Sequence, residues 1–373
     1  MNLFKSIGLI GSADIIGAGL ASIFWFFLAS QIEPTQYGEI HYLLSIAGLA
    51  YLISLIGTSD SIIVYSAKNI KLQPTLFLIS ILAGIISSII ILLIFYRFDV
   101  SFILLAYVIN DLSIAYLIGN KLYSNYSKYI LVQKILTLGF GLGFYYLIGI
   151  DGIIYGLALS YIHFVIIIFK VFQKSKINFS LLKSHSGFIT NNYAMNVVGG
   201  LRGNLDKIII VPLIGFAVLG NYALSLQVYA VLMIFSNIFY KYTLPHDASG
   251  SPTRKIKIVV VIVAILITVL AFTILPTIIP IVFPKYVDVI ESMQIVSLAV
   301  IPTTITLLFT SKFLGMEKSK GVLISKLVNL AVLISGVVIL GQMFGINGVA
   351  TAFLLSAISD TLCLCYMYKK SYW

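Results

Sequence analysis

Asn191–Ile210 reads NNYAMNVVGGLRGNLDKIII, and three charged residues, Arg202, Asp206 and Lys207, stand inside a run that is otherwise apolar enough for a membrane. On a continuous helix Asn192, Asn196, Gly199, Gly203 and Asp206 form one stripe, because steps of three and four residues return to the same face. Arg202 and Asp206, four apart, are then expected to pair. Ionisable groups at bilayer depth are costly and face a protein interior or a wet cavity. The segment is therefore the first candidate for a transport path.

Outward from this stretch the chain is 60% hydrophobic and only 10% charged, where a soluble domain carries about 25% charged residues. Such a chain cannot cover a soluble fold, so the expected class is an all-α, polytopic membrane protein. The net charge of +11 then reads as lysines gathered in cytoplasmic loops, with no nucleic-acid partner. Cys363 and Cys365, two apart, point to different helix faces and indicate neither a disulfide nor a metal site. His41, His163, His185 and His246 are scattered without metal-ligand spacing, and no cofactor is expected. The apolar run in Met1–Ala29 lacks a small-residue cleavage site and reads as a retained first span.

A span needs roughly 20 apolar residues. Twelve segments qualify, at about 6–30, 40–65, 75–96, 101–119, 129–149, 152–172, 188–213, 217–243, 257–283, 287–311, 321–343 and 346–368. With both termini cytoplasmic, 18 of the 24 Lys and Arg (Lys5 the first of them) fall on the inner side and 2, Arg97 and Lys285, on the outer; four, Lys134, Arg202, Lys207 and Lys326, lie within spans. That bias fixes the expected topology in a cytoplasmic (inner) membrane. Gly149-Ile-Asp-Gly152 after the fifth span returns as Gly345-Ile-Asn-Gly348 after the eleventh, with Ser160 and Ser356 following at matching distances. Lys134 and Lys326 occupy corresponding places, and Gly8, Gly11 and Asp14 match Gly200, Gly203 and Asp206. Aligning Gly38 with Gly220 needs a different offset. Six spans per copy make a parallel repeat: an N-lobe at 1–172, a linker at 173–187 and a C-lobe at 188–373.

Several short motifs lie along this frame. Pro34-Thr-Gln-Tyr37-Gly38 resembles a turn found in the Wzx-type polysaccharide-export (O-antigen) flippases, and Leu205-Asp206-Lys207 followed by Gly220-Asn-Tyr222-Ala-Leu-Ser resembles their seventh-span signature. Phe283-Pro-Lys-Tyr286 and Gly345-Ile-Asn-Gly348 fit their later turns, so the resemblance covers essentially the whole chain. That family shares a superfamily with the multidrug-and-toxin exporters and the lipid II flippases. The resemblance implies two six-helix lobes in a V around a central cavity, and alternating access. It also implies translocation of polyprenyl-(pyro)phosphate-linked oligosaccharide for surface polysaccharide, by a monomer working beside a glycan polymerase or glycosyltransferases.

Within this frame Arg202 is the candidate phosphate anchor, since a guanidinium offers planar, multi-donor recognition. Asp206 either orients it or binds substrate; Lys207 either enters the cavity or snorkels to the outer interface. Asn192 and Asn196 suit sugar hydroxyls and interhelical packing alike. Lys134 and Lys326 could attract an incoming phosphate. Asp14 and Asp111 are the candidates for coupling to H+ or Na+, while Asp60 and Asp360 read as interface residues. Tyr37, Tyr42, Tyr286 and Trp373 read as interfacial belt. Pro276, Pro280 and Pro284 are expected to break the ninth span and Pro302 to kink the tenth. The competing reading on the same fold is an ion-coupled multidrug exporter. A membrane glycosyltransferase or polymerase lacks its sizeable outer loop here.

Overall fold

The computed structural model describes residues 3–248, 252–316 and 318–370, without the side chains of residues 3–10, 245, 248 and 319. The Lys5 side chain and Trp373 therefore lie outside what is described, as do the surroundings of Gly8. Every regular element among the described residues is helical. In lipid the backbone has no water to bond, so each apolar run satisfies its own amides as a helix.

Twelve spans follow in chain order. The first is Leu3–Gln31; the second is Pro34–Ser54 continued by Ser59–Ala67, bent by 43°. Gln73–Phe95, Phe98–Gly119 and Tyr123–Ile148 are the third to fifth. The sixth runs from Asp151–Leu159 through a short 3-10 turn into Val165–Lys174. The seventh is divided into Ser186–Leu201 and Leu205–Ile214, and the eighth into Phe216–Leu232 and Ile234–Ala248. Arg254–Val282 is the ninth, Ile290–Leu298 with Val300–Gly315 the tenth. Ser319–Lys370 holds the last two, separated where Gly345 turns to φ 57°. The ninth span passes unbroken through Pro276 and Pro280, contrary to expectation, and Pro302 sits in the first turn after the break at Ala299.

The internal repeat is built from backbone contacts. Gly149 and Gly345 both adopt positive φ, 80° and 57°, which glycine alone reaches without strain. Three residues on, a Cβ on Gly152 would stand 2.4 Å from the Phe144 carbonyl oxygen, and one on Gly348 1.8 Å from that of Leu340. The same register places Gly156 on Phe140 and Ala352 on Gly336, so a small residue lets the paired helices touch in each copy. It also pairs Gln133, which donates to Ser160 Oγ at 3.2 Å, with Asn329, which donates to the Ser356 carbonyl at 2.7 Å. In that register, an offset of 196, Lys134 and Lys326 stand one helical turn apart, which corrects their expected equivalence.

Two compact units emerge, Met1–Phe24 with Leu43–Asn204, and Trp25–Tyr42 with Leu205–Trp373. They cut across the sequence halves: the end of the first span and start of the second join the later unit, and the first half of the seventh joins the earlier one.

In the first unit Ser88 and Ser101 exchange side-chain-to-carbonyl hydrogen bonds between the third and fourth spans. Arg97 grips Asp99 with two donors at 3.0 and 2.7 Å and reaches Asp151 at 3.5 Å. The turns after the third and fifth spans are thus neighbours on one membrane side.

In the second unit Gly38 and Gly220 cross back to back. A Cβ on Gly38 would lie 2.0 Å from the Phe216 carbonyl oxygen, and one on Gly220 1.8 Å from that of Pro34. Beside the crossing Tyr37 and Tyr286 are fully buried, their rings 6.2 Å apart, and Tyr286 donates to the Ile32 carbonyl. These two tyrosines are core residues and not interfacial belt. At the other end Asp247 lies beyond the apolar run at 217–243, near the end of the eighth helix. It gathers Thr253, Lys257 and Ser311 at 2.6, 2.5 and 2.6 Å, tying the ends of the eighth, ninth and tenth spans together.

Gly220→Val is expected to lower stability by about 3 kcal/mol, since the clash is with backbone. Gly139→Ala, whose Cβ meets nothing within 4 Å, should be neutral or slightly stabilising; detergent melting temperatures compare the two. A second expectation concerns pH. Burial acts to raise the Asp247 carboxyl, but the hydrogen bonds from Lys257, Ser311 and Thr253 outweigh it and hold the group below its ordinary value. Its contribution is complete above about pH 4, the unfolded value, and is lost as pH falls through the lower folded one. Asp247→Asn should melt lower than wild type at pH 7, with the gap closing on acidification below pH 4.

Candidate functional site

The seventh span carries the first candidates, and its local sequence explains its shape. Gly199, Gly200 and Gly203 weaken the helix within five residues. After Leu201 the chain tightens: Gly203 N bonds Gly200 O and Asn204 N bonds Leu201 O. The Asn204 side chain also donates to the Gly200 carbonyl at 3.1 Å, adding a side-chain donor to the acceptor that Gly203 N reaches. Helix resumes at Leu205. The continuous stripe expected from Asn192 to Asp206 is thus interrupted, and with it the Arg202–Asp206 pair. Asp206, 3% exposed, instead accepts the Tyr222 hydroxyl and the Lys207 amide, both at 2.9 Å.

Ser186–Leu201 packs along the second span. Tyr193 donates to the Ile53 carbonyl at 2.7 Å, Gly200 lies against Leu52, and the Asn204 side chain sits on Gly48. Asn192 and Asn196 are half-buried on a neighbouring face, where Gly199 would find nothing within 4 Å of a Cβ. The Asn192 Nδ2 is shielded and unpartnered. The side chain of Arg202, also half-buried, makes no hydrogen bond or ion pair with any described residue; its backbone amide reaches the Gly200 carbonyl. One half-span thus presents an amide donor and a guanidinium that its own fold does not consume. Lys207, half-buried, lies past the break in the other unit.

The second span supplies the other site-like feature. Its break at Leu55–Thr58 is stabilised by Ser80 Oγ, which accepts the Gly57 amide at 2.8 Å, and by Thr58, which caps the following helix. Asp111 of the fourth span lies here, taking a hydrogen bond from Ser59 Oγ, with the Tyr51 hydroxyl beside it. Asp60 is close enough to be felt electrostatically, and the Tyr51, Tyr107 and Tyr161 rings follow one another at 5.9 and 5.8 Å. Broken helices beside carboxylates are the architecture transporters use for ions. Tyr51, Ser59 and Asp60 were not singled out as site residues, and only the proximity of Asp60 to a Gly-Thr-Ser break in the sequence signalled them.

The remaining candidates separate. Asp14 accepts the Tyr126 hydroxyl at 2.7 Å, and Gly11, three residues before it, has open space where a Cβ would go. Lys134 lays its stem over Gly17 of the first span. Lys326 pairs with Asp360 at 2.6 Å. Asp360 is 2% exposed, a buried ion-pair partner and not an interface residue. Asp14, Asp111, Lys134, Asn192, Asn196 and Arg202 belong to the first unit, Asp206, Lys207 and Lys326 to the second. No group of three metal-ligating side chains exists among the described residues.

No protein-family model and no curated protein matches the sequence. Solved structures do match. The lipid II flippase MurJ in an inward closed conformation aligns over 97% of this chain and 87% of its own, at 15% identity and a TM-score of 0.77. This chain shares that fold. A multidrug resistance MATE family transporter of the MOP superfamily, inward-facing, aligns over 95% and 94% at 12% identity and a TM-score of 0.74. A point mutant of the Vibrio cholerae MATE transporter VcmN aligns over 98% and 93% at 14% identity and a TM-score of 0.60. All three are transporters or flippases, and the twelve-helix, multi-pass membrane fold of this chain is theirs.

Lys326→Met leaves Asp360 buried with one oxygen already unpartnered. Removing one member of a buried pair costs about 3–5 kcal/mol. A melting-temperature series should show that loss, and Asp360→Asn in the same chain should restore most of it. Full stability in the single variant would return Lys326 to the list of groups kept for a ligand.

Proposed function

We propose that the chain is a flippase carrying polyprenyl-(pyro)phosphate-linked oligosaccharide from the inner to the outer leaflet by alternating access, for surface polysaccharide biosynthesis. The observation that carries this reading is the first half of the seventh span. The Arg202 side chain has no protein partner among the described residues, and Asn192 offers an unused amide donor on the same half-helix. A guanidinium can bind phosphate through several donors at once, and asparagine amides suit sugar hydroxyls. The fold shared with the lipid II flippase supports the substrate class, as do the flippase-like motifs at Pro34–Gly38 and Leu205–Ser225. On this reading the protein acts as a monomer in the inner membrane with both termini cytoplasmic. Lys134 in the first unit and Lys207 in the second are further cationic groups for the substrate, and Asp14 and Asp111 are the groups that would exchange H+ or Na+.

A second reading, an ion-coupled exporter of small cations, is favoured by one feature, the Asp111 carboxylate at the second-span break with Asp60 beside it. The two diverge at Arg202. Arg202→Ala should abolish surface glycan and accumulate lipid-linked sugar on the inner leaflet while the protein remains in the membrane at wild-type level. Arg202→Lys should restore part of the export, since charge returns without the planar donor fork. Normal glycan export by Arg202→Ala would overturn the anion-binding role.

A further inference from the structure

A cavity of about 690 Å³ opens at the end of the second unit where Asp247 gathers its partners. Its walls come from the ninth, tenth and twelfth spans, and its lining changes character along its length. Arg254, Lys257 and Lys312 line one end, and Ile258, Val261, Ile262, Ile305 and Phe309 continue inward. Arg254 to Ile262 is eight residues, or about 12 Å of helix, and the tenth span runs antiparallel beside it from Ile305 to Lys312. Both helices therefore lead from cations to apolar surface in the same direction. Ile258 and Ile262 are each about half exposed, at 52% and 51%, on a helix whose outer face also shows Val259, Leu266 and Val269, so the groove opens toward lipid.

The charges are not equivalent. Lys257 is spent within the protein, on Asp247 and on the Leu308 carbonyl at 3.3 Å. Among the described residues Arg254 and Lys312 have no carboxylate partner, and no acidic side chain lines the cavity. Two uncommitted cations at one mouth of an apolar trough match an anionic headgroup with a hydrocarbon tail, and match neither a zwitterion nor a soluble anion. The lysine distribution assigns this end to the cytoplasmic leaflet, where anionic lipid is concentrated and each nearby basic residue contributes about 1 kcal/mol of attraction. A trough of about 12 Å holds part of an ordinary acyl chain and is far short of a polyprenyl chain.

We infer that this cavity is a binding site for an anionic phospholipid of the surrounding leaflet, its phosphate held by Arg254 and Lys312 and one acyl chain lying along Val261, Ile262 and Ile305. The site is distinct from the Arg202 half-span and does not depend on what the protein transports. Because it straddles the ninth, tenth and twelfth spans, occupancy braces two of the helix ends that Asp247 ties, those of the ninth and tenth.

The purified full chain, titrated with phosphatidylglycerol or phosphatidylcholine and followed by native mass spectrometry and melting temperature, tests this. Phosphatidylglycerol should bind at least tenfold more tightly than phosphatidylcholine and raise the melting temperature. Arg254→Ala with Lys312→Ala should weaken it about tenfold, whereas Lys68→Ala with Lys71→Ala, which removes the same charge from an exposed loop, should not. Val261→Trp should displace the lipid with both cations in place, which keeps the test open if the double variant folds poorly. Equal binding of the two lipids, or unchanged binding in both the cation and the Trp variants, overturns the proposal. So does displacement of phosphatidylglycerol by an equimolar polyprenyl phosphate, which would make the cavity a substrate site.

Discussion

Helices in lipid gain nothing from hiding apolar surface, so their association rests on close packing and on the few polar bonds between them. The crossing of Gly38 and Gly220 is the sharpest instance. The Pro34 carbonyl occupies the place of a Cβ on Gly220, and the Phe216 carbonyl that of one on Gly38, at 1.8 and 2.0 Å. The contact is reciprocal, each glycine lying on the carbonyl four residues before the other, as expected where two copies of one repeat meet about a pseudo-axis. Around it Tyr37, Tyr286 and the Tyr42–Phe216 ring pair close the packing. The helix pairs that end each repeat use the same device at Gly152 and Gly348.

Two of the broken spans, the second and the seventh, hold candidate chemistry. The second span parts at Gly57 and meets Asp111; the seventh parts at Gly203, leaving Arg202 on one piece and Asp206 on the other. Side chains support the backbone at both breaks: Ser80 accepts the Gly57 amide, and Asn204 adds a donor to the Gly200 carbonyl. Elsewhere polar residues between helices are mutually satisfied, such as Gln133 with Thr137 and Ser160, or Lys326 with Asp360. The contrast separates groups that build the fold from groups left over for a ligand.

Much of the fold was legible in the sequence because membranes impose length and charge rules. Twelve apolar runs, the Lys and Arg bias and the two Gly-Ile-Asp/Asn-Gly turns were enough for the all-α repeat. What one-dimensional periodicity missed were breaks and partners. The Arg202–Asp206 pair presumed an unbroken helix, and three glycines in five residues were the warning against it. Tyr222 as the partner of Asp206, and Tyr126 as that of Asp14, join residues 16 and 112 apart, and no spacing rule reports such contacts. Tyr37 and Tyr286 looked like belt residues because they lie near span ends, yet tight turns bury them. The ninth-span prolines looked like breaks, but a helix wall can leave single carbonyls to neighbours and run on.

The account turns on a cation kept free for a phosphate-bearing lipid, and reconstitution measures that most directly. Purified protein in liposomes, loaded on one leaflet with a fluorescent polyprenyl-pyrophosphate oligosaccharide, should move the label to the other leaflet faster than protein-free liposomes. The same vesicles, given a proton or sodium gradient, should not transport a small dye cation. Gradient-driven movement of the dye with no movement of the lipid-linked sugar would contradict the account and leave the Asp111 carboxylate as the centre of the protein's chemistry.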